Sequence, residues 1–262
     1  MIPFYCVVQK VCKKCENIDF KKGSNEVECC GVREFVFEEK IDVIVVDALC
    51  EFIVSQENSV WIAHNGGRFD TIFIFKYLLE KKKIFPESIM CGNKVMMLFI
   101  PDENIYFFDS YSFLHMKLSA IRKAMGISNL CKGFHPYFFY DLGYEGVVVD
   151  KKFFDIDNMD EKTKIDFEKW YLEKSTAKYK FSDEMYHYCS SDVNILRKGC
   201  IKFSQLMNES GNVSPFYDTT CITIASLALK IYRLNFLRKK CIGIIPTRGY
   251  RGKVNQSLIA LI

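Results

Sequence analysis

Two short stretches of this chain carry residue types that could do hydrolytic chemistry. The first is Ala63-His64-Asn65-Gly66-Gly67-Arg68-Phe69-Asp70. It closes a short apolar run, Val60-Trp61-Ile62-Ala63, and leads into apolar positions at Ile72, Phe75, Tyr77 and Leu78. A carboxylate there would lie where a strand gives way to a helix, the place where open α/β sheets gather their ligands. The two glycines would let a substrate backbone approach closely. The second stretch is Tyr188-Cys189-Ser190-Ser191-Asp192. Tyr188 and Asp192 are four apart in a helical pattern, so they share a face. A tyrosine hydroxyl beside a carboxylate can orient a water that a carboxylate-bound metal activates. Each stretch alone also has a plainer reading: Asp70 as a helix N-cap, and Tyr188 with Asp192 as a surface pair.

The elements that must position these residues follow from periodicity. Tyr5 to Val11 and Glu34 to Phe37 read as strands, with a polar loop between them that carries Cys12, Cys15, Cys29 and Cys30. Val43 to Ile53 has helical spacing. A helix should start after Phe69 and end at the basic run Lys81-Lys82-Lys83, which complements its C-terminal dipole. Lys94 to Ile100 and Ile105 to Phe108 read as a hairpin turning at Pro101-Asp102-Glu103-Asn104. A helix is expected over Leu118 to Met125. Phe134 to Asp157 reads as an aromatic loop. Helices follow over Glu161 to Lys174, Ser182 to about Met207, and Thr219 to Phe236. Strands first and helices later suit a mixed sheet flanked by helices, an α/β fold.

Composition narrows the class. The 262 residues are 49% hydrophobic and 26% charged, enough for a packed core. The 23 Phe and 14 Tyr are mostly core material, though rings can also stack on nucleobases. A net charge of +4 is a weak pointer to nucleic acid. No apolar run approaches the roughly 20 residues of a membrane span, so no membrane partner is expected. Met1-Ile2-Pro3-Phe4-Tyr5 lacks a secretory leader. With 12 scattered Cys, this points to reduced thiols in an intracellular compartment, and a nuclear address is the expectation. Cys12-Lys13-Lys14-Cys15 has zinc spacing, and Cys29-Cys30 could complete four ligands, although adjacent thiols fit a tetrahedron awkwardly. His64 and His187 read as structural.

Together the two chemical stretches become specific. Asn65, Phe69 and Asp70, followed well downstream by Tyr188 and Asp192, resemble the second and third exonuclease motifs of family B DNA polymerases. Phe108-Asp109-Ser110-Tyr111-Ser112-Phe113-Leu114 with Leu118-Ser119-Ala120-Ile121 is similar to the segment between those motifs in the protein-primed, organellar and viral branch. Cys30 to Phe37, Cys221 to Ser226 and Asn255 to Leu261 resemble polymerases of Polinton (Maverick) transposons. The resemblance covers nearly the whole chain.

It implies a ribonuclease H-like 3′–5′ exonuclease domain over residues 1–207. Residues 208–262 would be a helical linker and the start of a polymerase domain. By resemblance, four carboxylates hold two Mg²⁺ ions for phosphodiester hydrolysis, with Asp70 and Asp192 as two of the four. Tyr188 would position the attacking water. Asn65 and Phe69 would hold the single-stranded primer terminus. Leu118 sits where the family has a Ser/Thr-Leu primer-binding motif, with Lys117 in place of the hydroxyl residue. Tyr250-Arg251-Gly252-Lys253 partly resembles a template-contacting Tyr-x-Gly-Gly/Ala segment, and Arg248, Arg251 and Lys253 could touch phosphates.

The remaining two carboxylates belong to an Asp-x-Glu motif on an opening strand. The chain is read as having no Asp-x-Glu anywhere, and Asp47 with Glu51 has the wrong spacing. The resemblance would put that strand just ahead of residue 1, so the chain by itself is expected to be inactive. Palm-domain motifs of the Asp-Thr-Asp-Ser and Ser-Leu-Tyr-Pro types are also missing. The parent would be a DNA-directed DNA polymerase, a nucleotidyltransferase of DNA replication, with DNA, dNTP and a terminal protein as partners. The alternative is a non-catalytic nucleic-acid-binding relic of a transposon polymerase.

Overall fold

The computed structural model describes residues 3–20, 25–127, 133–217, 219–238 and 241. Strand β1 (Tyr5–Gln9) is extended from its first residues. The polar loop after it carries a small hairpin, β2 (Glu26–Val27) and β3 (Gly31–Val32), whose turn holds Cys29 and Cys30. β4 (Glu34–Glu38) then returns antiparallel to β1, with Tyr5 opposite Glu38 and Gln9 opposite Glu34. Helix α1 (Val45–Val54) buries Val45, Cys50 and Ile53 along one stripe, as its spacing requires.

The main sheet begins with β5 (Ser59–Ala63). Helix α2 (Asp70–Tyr77) follows and widens into a π turn over Leu78–Lys82. Then come β6 (Glu87–Cys91), β7 (Lys94–Ile100) and β8 (Ile105–Asp109). The strand order is β5-β8-β7-β6, with β5 parallel to β8 and the other pairs antiparallel. Central β8 is buried on both faces, which explains its unbroken apolar run Ile105-Tyr106-Phe107-Phe108. Leu98, Ile100 and Ile105 pack with Ile53, Ile74 and Leu78 into one core. Each such side chain contributes about 1.5–3 kcal/mol.

The chain continues through α3 (Leu118–Ala124), β9 (Glu145–Gly146), α4 (Glu161–Ser175), β10 (Tyr179–Lys180), α5 (Phe181–Gly211) and α6 (Ile224–Asn235). Asp160 caps α4 by accepting the Thr163 N–H at 2.8 Å. Two further cores form around these helices. One joins Phe113, Leu114 and Ile121 to Cys200 and Phe203 of α5, and to Val213, Phe216 and Leu227 beyond it. The other joins Val148, Phe154 and Phe167 to Tyr179, Phe181 and Met185. The result is a mixed sheet flanked by helices.

Three expectations need correction. β6 was not foreseen, because all five of its residues are exposed and no apolar alternation marks it. The last helix starts at Ile224 rather than Thr219, because Thr223 and Ser226 form a capping box that fixes its first turn. Cys221, just before it, is buried. The long helix runs past Met207 to Gly211, and Asn212 ends it in the left-handed region.

α5 is held against the β1–β4 pair by one carboxylate. Glu34 accepts from Tyr186 Oη at 2.5 Å and Ser190 Oγ at 2.9 Å on the helix. It also accepts from Gln9 Nε2 at 2.8 Å and Asn25 Nδ2 at 3.0 Å. Tyr186 and Ser190 are one helical turn apart, so a single acceptor reaches both. Removing it strands several polar donors in a half-buried place, which costs about 3 kcal/mol. Glu34→Ala is therefore expected to lower the urea midpoint with an unchanged slope. Glu87→Ala, on an exposed edge strand, should stay within about 0.5 kcal/mol of the parent.

Candidate functional site

The site grows from the parallel pair β5 and β8, whose C-terminal ends lie side by side, Ala63 opposite Asp109. Beyond Ala63 the chain must turn sharply into α2. Asn65 makes the turn in the left-handed region at φ 62°, where asparagine is among the most tolerated non-glycine residues. His64 is fixed on both nitrogens. Its Nε2 lies 2.9 Å from the Met116 carbonyl and so carries the proton, and Nδ1 lies 2.9 Å from Ser110 Oγ. Burial lowers its pKa. His64 is a structural tie here.

Asp109 organises the turn. Its carboxylate is 3% exposed and accepts the N–H of Asn65 at 2.8 Å, of Gly67 at 3.4 Å and of Tyr111 at 2.9 Å. Lys94 Nζ neutralises it at 2.8 Å. The two glycines serve this packing. A Cβ on Gly67 would lie 2.1 Å from the Val95 carbonyl, and one on Gly66 would lie 2.5 Å from Ala63 Cβ. Their close approach is to the chain's own neighbours, which corrects the expectation of a substrate backbone there. No periodicity marks Asp109 as buried. A single charged residue at the end of an apolar strand reads as a turn.

Phe69 and Asp70 emerge from this turn toward solvent. Phe69 is 59% exposed, unusual for a phenylalanine and suited to a stacking contact. Asp70 is not the N-cap. Phe69 holds that position, and Asp70 is the first residue of α2, with its carboxylate at the positive end of the helix dipole. Asp70 keeps solvent contact as a residue, yet crowding by surrounding protein, followed by the Asp109 charge, raises its carboxyl above the ordinary value.

The second half of the site comes from α5. Tyr188 and Asp192 lie on the face opposite Tyr186 and Ser190, because two residues of helix turn through about 200°. Burial and the Asp192 charge raise the Tyr188 phenol. Burial first, then the charges of Asp70 and Cys189, push the Cys6 thiol up to about 12. Burial and Asp192 do the same to Cys189. Cys6 on β1 thus feels charge from both Asp70 and Cys189.

Two neighbours of Tyr188 were missed in sequence, because they lie in the aromatic loop. Tyr137 Oη is 2.9 Å from Tyr188 Oη, and the His135 ring stacks on Tyr188 with centroids 5.1 Å apart. Leu118 opens α3 and packs its side chain against the second core, which gives it a structural load besides any contact with DNA. Tyr250, Arg248, Arg251 and Lys253 lie outside the described residues.

One further correction concerns Asp-x-Glu. The chain contains one, Asp166-Phe167-Glu168, but it lies within helix α4. Phe167 is buried, Asp166 and Glu168 are exposed, and Glu168 pairs with Lys151 at 2.5 Å. On a helix, positions i and i+2 diverge, so this pair cannot stand in for the strand motif. Among the described residues, no three carboxylate or histidine side chains converge on one point. The one group close enough to share an ion consists of four cysteines. No helix among these residues is long and apolar enough to cross a membrane.

Two outcomes test this geometry. Asp109→Asn leaves Lys94 without its counter-charge and is expected to cost about 3 kcal/mol, read as a lowered urea midpoint. Burial lowers the His135 pKa from 6.5 to about 4. A histidine held neutral in the fold supports stability above its unfolded pKa and loses that support as pH falls. The melting temperature should therefore drop between pH 6.5 and 4, and His135→Phe should flatten that part of the profile. An unchanged profile would remove His135 as the cause.

A family model described as DNA polymerase type B, organellar and viral, matches residues 50–259. No curated protein and no solved structure matches the chain.

Proposed function

This chain belongs to the organellar and viral type B DNA polymerases, and we propose that residues 1–207 are the 3′–5′ exonuclease region of such an enzyme. The family makes DNA its partner and replication its setting. In this reading the region has a ribonuclease H-like fold and proofreads a single-stranded primer terminus. Residues 208–262 lead toward the polymerase domain, which would bind template and dNTP and work with a terminal protein. A transposon origin and a nuclear address belong to the same proposal.

The observation that carries the reading is that a strand-end turn presents Asp70 and exposed Phe69 at the start of α2, while one face of the long helix α5 carries Tyr188 and Asp192. Exposed Phe69 and left-handed Asn65 flank Asp70, where a 3′-terminal nucleotide could stack and accept a hydrogen bond. Tyr188 brings its hydroxyl, paired with Tyr137, to the Asp192 side.

Type B polymerases generally use divalent metals, and Mg²⁺ is the proposed ion. Hard cations want several oxygen ligands. Asp70 and Asp192 would supply two carboxylates, and among the described residues no group of three carboxylates comes together. They do not make a two-ion site alone, so no step is routed through metal here. Strand pairing supports a missing contributor. Among the described residues β1 is bonded to β4 alone and β5 to β8 alone, so each keeps an edge to which a strand bearing Asp-x-Glu could pair. On this reading the 262 residues alone bind DNA and hydrolyse little.

The test is a version carrying an Asp-x-Glu strand ahead of Tyr5, assayed on single-stranded DNA with Mg²⁺. It should shorten the strand from its 3′ end. Asp70→Ala or Asp192→Ala should each cut the rate by roughly a hundredfold or more. Full activity in both variants would overturn the site. That no three carboxylates come together among the described residues also favours a second reading, a nucleic-acid-binding relic. Binding without hydrolysis in the extended version would select it.

A further inference from the structure

Outside that site, four thiols come together from two distant parts of the chain. Cys12 and Cys15 lie in the turns that follow β1, and Cys29 and Cys30 in the β2–β3 turn. Their Sγ atoms all lie within 4.8 Å of one another. Cys12 is 3.8 Å from Cys15 and 3.6 Å from Cys29, and Cys15 is 3.6 Å from Cys30. A tetrahedral ion with metal–sulfur bonds near 2.3 Å sets its ligand sulfurs about 3.8 Å apart. A disulfide would instead draw one pair to about 2.05 Å. Here no pair is singled out.

The backbone explains how adjacent cysteines can serve together. Gly31, directly after them, sits at φ +61° with open space where a Cβ would be. This left-handed residue turns the hairpin back sharply. Cys29 then reaches Cys12 while Cys30 reaches Cys15. The Cys12 N–H also points at Cys15 Sγ, 3.3 Å away.

We propose that Cys12, Cys15, Cys29 and Cys30 bind one Zn²⁺ ion, and that this ion ties the loop after β1 to helix α5. Four thiolates prefer a borderline-soft cation to Mg²⁺, and four protein ligands leave no open position for catalysis, so the site is structural. Four thiolates around Zn²⁺ leave two negative charges, and two arginines lie beside them. Arg33, 1% exposed, donates to the carbonyls of Ile18 at 3.1 Å and Asp19 at 3.3 Å. Arg197 of α5 donates to the Glu16 carbonyl at 3.1 Å and to Gln9 Oε1 at 3.1 Å. The Phe20 ring packs against both guanidiniums, at 4.1 Å and 4.6 Å. Lys198 adds an ion pair to Asp19 at 2.5 Å. The metal loop therefore grips α5 close to Asp192. The site needs nothing from the exonuclease reading.

The 262-residue chain, expressed in zinc-supplemented medium, should carry one zinc per chain by elemental analysis. Its Co²⁺-substituted form should show the intense visible and charge-transfer absorption of a tetrahedral thiolate site. Modifying the thiols should release the zinc and lower the melting temperature by several degrees. Cys12→Ser with Cys30→Ser should abolish binding, while Cys91→Ser, on an exposed strand, should keep it. Wild-type protein without zinc, iron in its place, or zinc retained by the double variant would each overturn the proposal. Because release is measured on the wild-type chain, a variant that fails to fold leaves the test intact.

Discussion

Asp109 is a carboxylate taken almost wholly out of water at the end of the central strand, and its neutralisation organises everything around the turn. An ionised carboxylate in that place must find a cation and hydrogen-bond donors, or shed its charge. Lys94 supplies the cation from the neighbouring strand. The donors are backbone N–H groups of the loop that leads to Asp70. A single buried charge thus gives β7, β8 and the β5–α2 turn one common centre. The turn's left-handed asparagine and its paired glycines are what allow backbone to crowd so close to that centre. Asp70 and Phe69 face solvent because the residues before them are tied inward.

The opposing wall is ordered by a division of labour on α5. One face carries Tyr186, Ser190 and Arg197, whose partners are Glu34, Gln9 and the Glu16 carbonyl. The other carries Tyr188 and Asp192. Polar anchors on one side fix which residues the other presents, because the helix cannot roll without breaking several hydrogen bonds at once. The helix ends sit in different cores, Phe181 and Met185 in one, Cys200 and Phe203 in another.

Much of this was legible in the sequence, for identifiable reasons. Strand β7 and helices α1 and α5 carry apolar spacing that matches their burial, and β8 is announced by its unbroken apolar run. The placement of Asn65, Phe69 and Asp70 at a strand end, and of Tyr188 and Asp192 on one helix face, was legible from spacing, whereas their roles rest on the family resemblance and belong to the proposal. β6 was not, since an exposed edge strand has no apolar rhythm. Asp109 was not, since burial of a lone charge depends on Lys94, which arrives through sheet pairing. The convergence of Cys29 and Cys30 on Cys12 and Cys15 depends on a positive φ at Gly31, and residue type alone does not give that angle. The aromatic loop hid Tyr137 and His135 because irregular backbone carries no period to read.

The uninterrupted length of α5 constrains how this protein can change over time. A helix advances about 100° per residue. One inserted or deleted residue between Ser190 and Arg197 would swing everything downstream by that angle. Arg197 would leave Glu16, and Phe203 would leave its core. The surface loops at 101–104 and 141–143 can gain or lose residues without such rotation. Drift in length among kindred sequences should therefore collect in the loops and spare this rod, whose register is fixed at both ends.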